Sequence, residues 1–310
     1  MSSDKRPEQT RAAKTAAAGG QRQTPVPARP PRRYSFSLVG FGVIGVVVVI
    51  IVALVIVKVT SGSSPPKKAP SATADVPVPA SLIAEVTSVP SSVAQAVGLP
   101  SSVNPPSVLK GEPPLVLDGK PGALFIGAEF CPYCAAERWA VVMAFSKFGT
   151  FYGLKETASS PWDYAPSTAT FSFYQASYSS NLLTFEPVEA MGNDTTGLDT
   201  HRLLQNPTST QSNLWATYSA IFGTPEGFPF LDVGNKVFTV GLSYDPKILS
   251  GLTHSAIAAK LKNPSDPVTQ AIVGSANYLT AAICSITNQQ PTSVCSAAGT
   301  AAAAKALGTS

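Results

Sequence analysis

The sequence predicts an α/β domain that a single N-terminal helix anchors to a membrane. Three observations favour this architecture. An uncharged apolar run of 20 residues extends from Leu38 to Val57. Further along, a strand-length apolar run leads into a Cys-Pro-Tyr-Cys motif that starts at Cys131, and a helical pattern follows it. Two short apolar runs then meet at Gly234-Asn235, a dipeptide typical of a two-residue β-hairpin turn.

The chain begins with a basic tail, residues 1–34, which we expect to be disordered because it has no apolar periodicity. Residues 35–59 contain the apolar run. At about 1.5 Å per residue the run is roughly 30 Å long, which matches the hydrocarbon core of a bilayer. A cleaved signal peptide would be shorter, would lie nearer the start and would have a small-residue cleavage site directly after it. We therefore predict one retained transmembrane helix.

The charges that flank the apolar run predict its orientation. Eight basic and two acidic residues precede it, whereas Lys58, Lys67 and Lys68 follow it. By the positive-inside rule the tail lies in the cytoplasm, and the rest of the chain lies on the extracytoplasmic side of the cell membrane. The tail has no interleaved aromatic residues, so we expect it to contact anionic membrane lipid and not nucleic acid.

Composition divides the remaining chain into a linker and a domain. Residues 60–79 are a Pro/Ser-rich linker, and residues 80–310 form the extracytoplasmic domain. Residues 80–114 are an N-terminal extension, which is either two short helices packed on the domain or more linker. Residues 150–225 include an insertion, and residues 297–310 are expected to be a disordered tail.

The domain proper starts with a short strand and a turn at Asp118-Gly119. A second strand, Ala123–Phe130, leads into the helix of the cysteine motif, and we expect Gly149 to end that helix as a left-handed cap. Within the helix, Glu137 and Arg138 are expected to be solvated or paired. The later elements are strands within 168–178 and 181–191, helical stretches within 198–222, a hairpin within 228–241 and closing helices within 254–262 and 268–287.

A thiol in the first turn of a helix has distinctive chemistry. Unpaired backbone N–H groups and the positive end of the helix dipole favour the thiolate, and both lower the thiol pKa. Pro132 suits the first helical position, where a missing N–H costs nothing. Cys131 is therefore predicted to attack a substrate disulfide, and Cys134, one turn later, is predicted to resolve the mixed disulfide.

The segment AEFCPYC, between a strand and a helix, resembles the active-site turn of the thioredoxin fold, and Cys-Pro-Tyr-Cys resembles the glutaredoxin motif. In that fold a cis-proline opens the strand before the final hairpin, and Pro229 has the matching spacing. Together with FGTF and FPFLDVGNK, the motif resembles a family of membrane-anchored, thioredoxin-like microbial proteins classed as a domain of unknown function. The resemblance implies a thioredoxin-like domain with an insertion, preceded by one transmembrane helix. It also implies substrate contacts by Pro229, Phe228, Pro132 and Tyr133.

Two residues depart from the thioredoxin pattern. Thioredoxins have a buried acid six residues before the first cysteine, where this chain has Phe125. Proton transfer for Cys134 must then come from elsewhere, with Glu129 as a candidate, or from water. Phe228 is bulkier than the Thr or Val usual before the cis-proline, a departure that bears on any substrate preference implied by the resemblance.

The cysteine motif has other interpretations. Half of a zinc site and a copper chaperone both need further ligands, and the two histidines of the chain, His201 and His254, are not in ligand spacing. A purely structural disulfide is also open, although a strand–helix turn beside a cis-proline exposes and activates one sulfur. We expect no metal and no cofactor, and we interpret both histidines as surface or packing residues.

Cys284 and Cys295 flank a polar loop in the closing region. Outside the membrane, two cysteines in such a loop predict a structural disulfide, which stabilises by about 2–3 kcal/mol through loop closure. Four cysteines allow three pairings, and this pairing leaves the Cys131–Cys134 motif intact.

These features predict a membrane-anchored thiol–disulfide oxidoreductase that acts on cell-envelope protein thiols or disulfides. The oxidising compartment favours an oxidase or isomerase over a reductase, and a membrane redox partner is a further expected contact. The alternative is a non-catalytic thioredoxin-fold binding or scaffold module of the cell envelope.

Overall fold

The computed structural model describes residues 76–197 and 200–309. The predicted cytoplasmic tail, the predicted transmembrane helix at 35–59 and most of the predicted linker lie outside these residues. Within the described ranges, no helix combines the length and the apolar character that crossing a membrane requires. The described part is a mixed α/β structure.

Thirteen strands and eight α-helices occur in the described part of the chain. The strands are β1 (Val76–Pro77), β2 (Ser107–Val108), β3 (Val116–Leu117), β4 (Lys120–Gly127), β5 (Thr150–Tyr152), β6 (Lys155–Ala158), β7 (Ala169–Ser172), β8 (Ser177–Ser179), β9 (Thr184–Glu189), β10 (Met191–Gly197), β11 (Thr200–Leu203), β12 (Phe230–Val233) and β13 (Val237–Val240). The helices are α1 (Ala80–Thr87), α2 (Ser91–Val97), α3 (Pro132–Phe145), α4 (Ser209–Ile221), α5 (His254–Lys260), α6 (Pro267–Ile286), α7 (Thr292–Cys295) and α8 (Ala298–Leu307), with a 3-10 turn at Pro246–Leu249.

The main sheet is built around β4, which pairs with three other strands. β9 lies parallel to β4 from Gly122 to Gly127, whereas β12 lies antiparallel to it. β13 and β2 extend the sheet beyond β12, and β3 forms a hairpin with the start of β4. Because β4 and β9 run parallel, both end at the same edge of the sheet, and β12 begins there opposite Ile126. The cysteine motif follows β4 at this edge.

The helix that follows β4 packs on the larger apolar core. Along β4, Phe125 belongs to this core, whereas its neighbours Leu124 and Ile126 belong to a smaller core, as the alternation of a strand requires. Every residue of α3 except Tyr133 is buried, and α6 packs along it. α3 therefore has almost no solvent face.

The predicted insertion forms most of the additional β-structure. The strands expected within 168–178 and 181–191 are β7, β8 and β9. β6 pairs with β1 and β7, β5 pairs with β8, and β10 pairs with β11. β7 also holds α3 in place, because Trp139 Nε1 donates a hydrogen bond to Ala169 O and Thr170 Oγ1 donates one to Ala135 O.

The helical prediction within 198–222 is wrong at its start. Thr200–Leu203 forms β11, which pairs with β10 instead of coiling into a helix. α4 starts only after Thr208, whose hydroxyl accepts the backbone N–H of Gln211 while the Gln211 side chain accepts the backbone N–H of Thr208. This capping box satisfies two N–H groups at the helix start and fixes it there.

The end of α3 also differs from the prediction. The helix ends at Phe145, and Gly149 does not have the positive φ of a left-handed cap. Glycine is needed there for another reason. A Cβ atom on Gly149 would overlap the carbonyl oxygen of Ser179 and the side chain of Tyr178, which lie in β8.

Both ends of the domain are helical. The extension at 80–114 forms α1 and α2, and Asn277 Nδ2 of α6 donates hydrogen bonds to Ala94 O and Gly98 O at the end of α2. The segment 297–310, expected to be a disordered tail, instead forms α8 on α6. Its alanine-rich sequence has high helix propensity, and its small side chains allow close packing.

A disulfide joins Cys284, near the end of α6, to Cys295 in α7. Replacing both cysteines by alanine is expected to lower the free energy of unfolding by about 2–3 kcal/mol, because the denatured chain regains the freedom of the closed loop. Urea denaturation of the two proteins measures this difference. The rate at which Cys131 is alkylated in the folded protein serves as the control and is expected to be the same in both proteins. An unaltered urea midpoint would contradict the prediction.

Candidate functional site

The candidate site starts at the N-terminus of α3. Cys131 is the N-cap residue of this helix, and Pro132 occupies the first helical position. Cys131 Sγ accepts a hydrogen bond from the backbone N–H of Cys134, with 3.2 Å between the two heavy atoms. Both cysteines are free thiols; the exposed fraction is 5% for Cys131 and 0% for Cys134. Of the two residues, only Cys131 therefore keeps any exposure to solvent.

The two thiols differ in acidity. Burial acts to raise the pKa of Cys131, but hydrogen bonds from the thiol and backbone N–H of Cys134 and the positive charge of Arg138 outweigh it, so the pKa is lowered. Burial also raises the pKa of Cys134, and there the hydrogen bond and charge of Cys131 add to the rise. Cys131 is thus the more acidic of the two thiols.

A buried ion pair lies beside the cysteines. Arg138, one turn after Cys134, donates from Nε to Glu189 Oε1 at 2.8 Å and from Nη2 to Glu189 Oε2 at 2.6 Å. The same Nη2 donates to Ala128 O at 2.9 Å. Burial acts to lower the pKa of Arg138, but the charge and hydrogen bonds of Glu189 raise it above its ordinary value. The guanidinium is therefore a permanent cation in the interior.

Glu129, the predicted proton-transfer residue, is buried at the turn between β4 and α3. Its backbone N–H donates to Met191 O, and its carboxylate accepts a hydrogen bond from the hydroxyl of Ser172. The negative charge of Glu129 acts on Arg138. Glu129 therefore belongs to the same group of buried charges as Arg138 and Glu189.

Pro229 lies at the start of β12, and the Phe228–Pro229 peptide bond is cis. The ring of Phe228 packs against Phe130, with 6.4 Å between ring centroids, and against Trp215, with 4.9 Å. Since Phe130 directly precedes Cys131, this contact brings the segment before β12 next to the cysteine motif.

Tyr133, between the two cysteines, carries the exposed side of the motif. Its ring stacks on Tyr164, with 5.9 Å between centroids, and Lys247 Nζ lies 3.8 Å from the centroid of Tyr164. Trp162, in the same loop as Tyr164, is 82% exposed. Tyr133, Tyr164 and Trp162 together form what we call the aromatic surface.

The loop that carries the aromatic surface is tied to the motif. The backbone N–H of Ser160 donates to Phe130 O, and the hydroxyl of Ser159 donates to Ala165 O within the loop. These hydrogen bonds connect the loop to itself and to the turn before Cys131.

Neither histidine forms a metal-binding cluster with the cysteines in the described residues. The ring of His201 stacks on Phe130, with 3.8 Å between centroids and 3° between planes, and His254 Nε2 lies 2.6 Å from Thr170 O. Both are packing residues in this structure. In the described part of the chain, no cluster of three or more His, Cys, Asp or Glu side chains has an arrangement that could hold a metal ion.

Sequence reasoning missed the buried charges of α3. Glu137 and Arg138 are both buried, so the solvated alternative is wrong for both, and Arg138 is paired with a residue 51 positions away. One sequence signal could have predicted their burial. The helix from Pro132 to Phe145 has no other charged residue, and a helix that is apolar all round is buried. The partner Glu189 has no local signal.

Glu137 is a buried acid on the side of α3 that faces Ser243. Burial raises the pKa of Glu137 to about 7, while a hydrogen bond with Ser243 acts in the opposite direction. Within the described residues, its Oε1 atom has no hydrogen-bond partner. An acid whose folded-state pKa is raised is neutral at low pH and costs stability once it ionises.

Glu137→Gln is expected to stabilise the protein in a pH-dependent way. Below about pH 4.5 the carboxyl is protonated in both the folded and the unfolded state, and the two proteins should differ little. Between about pH 4.5 and 7 the folded state binds the extra proton, so the wild type loses on the order of 3 kcal/mol relative to the variant.

Urea denaturation at pH 4.5 and pH 8 measures this difference. Glu226→Gln, which replaces an exposed carboxylate, is the matched control for the substitution. If Glu137→Gln destabilised the protein more at pH 8 than at pH 4.5, the assignment of a raised pKa would be wrong.

Comparison with known families identifies one relationship. The family model described as Domain of unknown function (DUF929) matches residues 110–285, which is more than half of the chain. This match covers β4, the cysteine motif, the insertion and the β12–β13 hairpin, and it confirms the expected relationship to a domain of unknown function. Neither the curated proteins nor the solved structures gave a match.

Proposed function

We propose that this chain, which belongs to the DUF929 family, is a thiol–disulfide oxidoreductase with a thioredoxin-like fold. The observation that carries the proposal is the division of chemistry between the two cysteines. Cys131 is a free thiol at a helix N-cap with a lowered pKa, and Cys134 is a fully buried thiol one turn later. A low-pKa thiol that reaches solvent suits the attacking group, and a protected neighbour suits the resolving group.

The order of the elements supports the fold assignment. In thioredoxin-like domains a strand leads into the cysteine pair and its helix, a parallel strand lies beside the first, and an antiparallel hairpin and a last helix follow. Here β4, α3, β9, the β12–β13 hairpin and α6 occur in that order, with β9 parallel and β12 antiparallel to β4. The cis peptide before Pro229 lies at the position expected from the resemblance.

The proposed exchange uses two successive attacks. The Cys131 thiolate attacks one sulfur of a substrate disulfide, so a mixed disulfide forms and the other substrate sulfur leaves as a thiolate. Cys134 then loses its proton and attacks Cys131 Sγ, which breaks the mixed disulfide and releases the second substrate sulfur. Two electrons pass to the substrate and the cysteine pair becomes a disulfide. In the oxidase direction the steps run in reverse, and a disulfide-bearing partner must reoxidise the pair.

The other site residues have supporting roles in this proposal. Pro229 and Phe228 hold the substrate backbone beside the Cys131 sulfur, and Tyr133 and Pro132 shape the surface that the substrate meets. Glu129, buried near Arg138, exchanges protons during the second attack. No cofactor is needed, because the two sulfurs carry the electrons.

We also propose a location and a class of partner. The N-terminal apolar run holds the domain on the extracytoplasmic side of the cell membrane, with the basic tail in the cytoplasm. Its substrates are cell-envelope protein thiols or disulfides, and a membrane redox partner resets the cysteine pair. In this oxidising compartment an oxidase or isomerase role is favoured.

The reduction potential of the cysteine pair is expected to be above about −230 mV, with a Cys131 pKa below the free value of about 8.5. The helix N-terminus and Arg138 stabilise the Cys131 thiolate, and stabilising the reduced form makes the pair a stronger oxidant. Phe125, in place of a buried acid, removes a negative charge that would oppose the thiolate.

Equilibration with glutathione buffers of defined potential, followed by alkylation and mass spectrometry, measures the reduction potential. A value near −270 mV, typical of thioredoxin, would overturn the oxidase assignment and favour a reductant supplied by another membrane protein.

The roles of the two cysteines predict different trapping behaviour. Cys134→Ala is expected to accumulate mixed disulfides with envelope proteins, because Cys131 can still attack and nothing resolves the product. Cys131→Ala, the matched control, is expected to accumulate none. Non-reducing electrophoresis of the full-length variants in cells detects these species. If neither variant trapped a partner and the purified protein neither reduced nor oxidised a test disulfide, the chain would be a binding or scaffold module.

A further inference from the structure

We propose that Arg138 is a positioning residue that promotes thiol–disulfide exchange through both sulfurs, and that Glu189 sets how strongly its charge acts on them. This role rests on the proposed function and deepens it. Arg138 contacts no substrate; it acts on Cys131 and Cys134 from inside the domain. Arg138 thus provides a buried charge near the cysteine pair in a chain that has Phe125 where thioredoxins have a buried acid.

Geometry places the guanidinium directly behind the cysteine turn. Arg138 follows Cys134 by four residues on α3, so both lie on the same side of the helix. Its Nη2 donates to Ala128 O, and the backbone N–H of Cys131 donates to the same oxygen at 3.2 Å. The cation is thus hydrogen-bonded to the turn that leads into Cys131.

Pairing with Glu189 does not remove the effect of the Arg138 charge on the two cysteines. Two guanidinium nitrogens bond to Glu189, while Nη1 is buried and has no hydrogen-bond partner in the described part of the chain. Titratable groups near the cysteine turn are Glu189 from β9, Glu129 from the turn itself, Tyr133 from α3 and His201 from β11, which stacks on Phe130. Among these groups the positive charge that acts on both cysteine sulfurs is that of Arg138.

Stability alone does not explain this ion pair. Desolvation of two buried charges costs about as much as their attraction returns, and neutral replacements of similar volume are often as stable. A buried ion pair is therefore weak evidence for a role in stability, and the place of this pair beside two free thiols favours a chemical role. That role is to stabilise negative charge on sulfur in a site from which water is nearly excluded.

The effect of Arg138 should be largest in the second attack. In the free protein the Cys131 sulfur opposes ionisation of Cys134 through its charge and its hydrogen bond. Once Cys131 is bonded to a substrate sulfur it carries no charge, and this opposition ends. Cys134 then gives its proton to Glu129 or water, and its thiolate forms beside Arg138 before it attacks Cys131 Sγ.

The test compares two changes that should act in opposite directions. In a Cys134→Ala background, the pH dependence of Cys131 alkylation by iodoacetamide reports the midpoint for thiolate formation. The double variant Arg138→Met, Glu189→Gln removes both charges of the ion pair. Its alkylation midpoint is expected to rise by about one pH unit, which corresponds to tenfold less thiolate at any pH below the midpoint. Glu189→Gln alone removes the carboxylate that is bonded to the cation, so more of the Arg138 charge acts on the sulfur and the midpoint is expected to fall.

Two further variants keep the result interpretable. Glu137→Gln, a neighbouring buried carboxyl on the same helix, is the matched control and is expected to leave the midpoint unchanged. Arg138→Lys keeps the charge and is expected to keep the midpoint near the wild-type value, even if the Met variant does not fold. A midpoint that moves in the same direction in the double variant and in Glu189→Gln, or that moves in neither, would overturn the proposal.

A second readout separates this proposal from the proposed function. With Cys134 present, the double variant is expected to resolve a preformed Cys131–glutathione mixed disulfide about tenfold more slowly. Alkylation needs no partner and no turnover, so shifted midpoints without any exchange activity would support the effect of Arg138 on ionisation of the Cys131 thiol, and would reject both the oxidoreductase and a role of Arg138 in exchange. Exchange activity with unshifted midpoints and an unchanged rate of mixed-disulfide resolution would support the oxidoreductase and reject the role of Arg138.

Discussion

The parallel pairing of β4 with β9 is the interaction on which the rest of the site depends. It carries the two strands to one edge of the sheet, where β4 ends in the turn before Cys131 and β9 ends at Glu189. Without this pairing Arg138 would lose the carboxylate that is bonded to it, and breaking a buried ion pair costs several kcal/mol. With it, the helix can bury nearly all of its surface and still keep one cation behind the sulfurs.

Features that depend on a few neighbouring residues were predictable. The turn at Asp118-Gly119, the strand into the cysteine motif, the helix that follows and the β12–β13 hairpin all appear in the structure. The reason is local backbone chemistry: Gly234 and Asn235 have φ values of 71° and 54°, which few other residues adopt readily. Likewise, proline favours the first position of a helix, so the cysteine before Pro132 becomes the N-cap residue.

Features that depend on distant residues were not predictable. Arg138 and Glu189 are far apart in sequence, as are Phe130 and His201, so no local pattern links either pair. β11 was missed because its strand conformation comes from pairing with β10, and that pairing contains irregularities in register. The end of α3 was misplaced because Gly149 is needed for the close approach of β8 and not for a left-handed cap.

The contrast among the tryptophans has an optical consequence. Trp139 is fully buried and Trp215 nearly so, whereas Trp162 projects into solvent from the loop beside Tyr133. A collisional quencher such as iodide will therefore quench the emission of the Trp162 indole and leave that of the other two. The fraction of tryptophan fluorescence that the quencher removes therefore measures whether another molecule covers the aromatic surface. The measurement needs no label and does not modify either thiol.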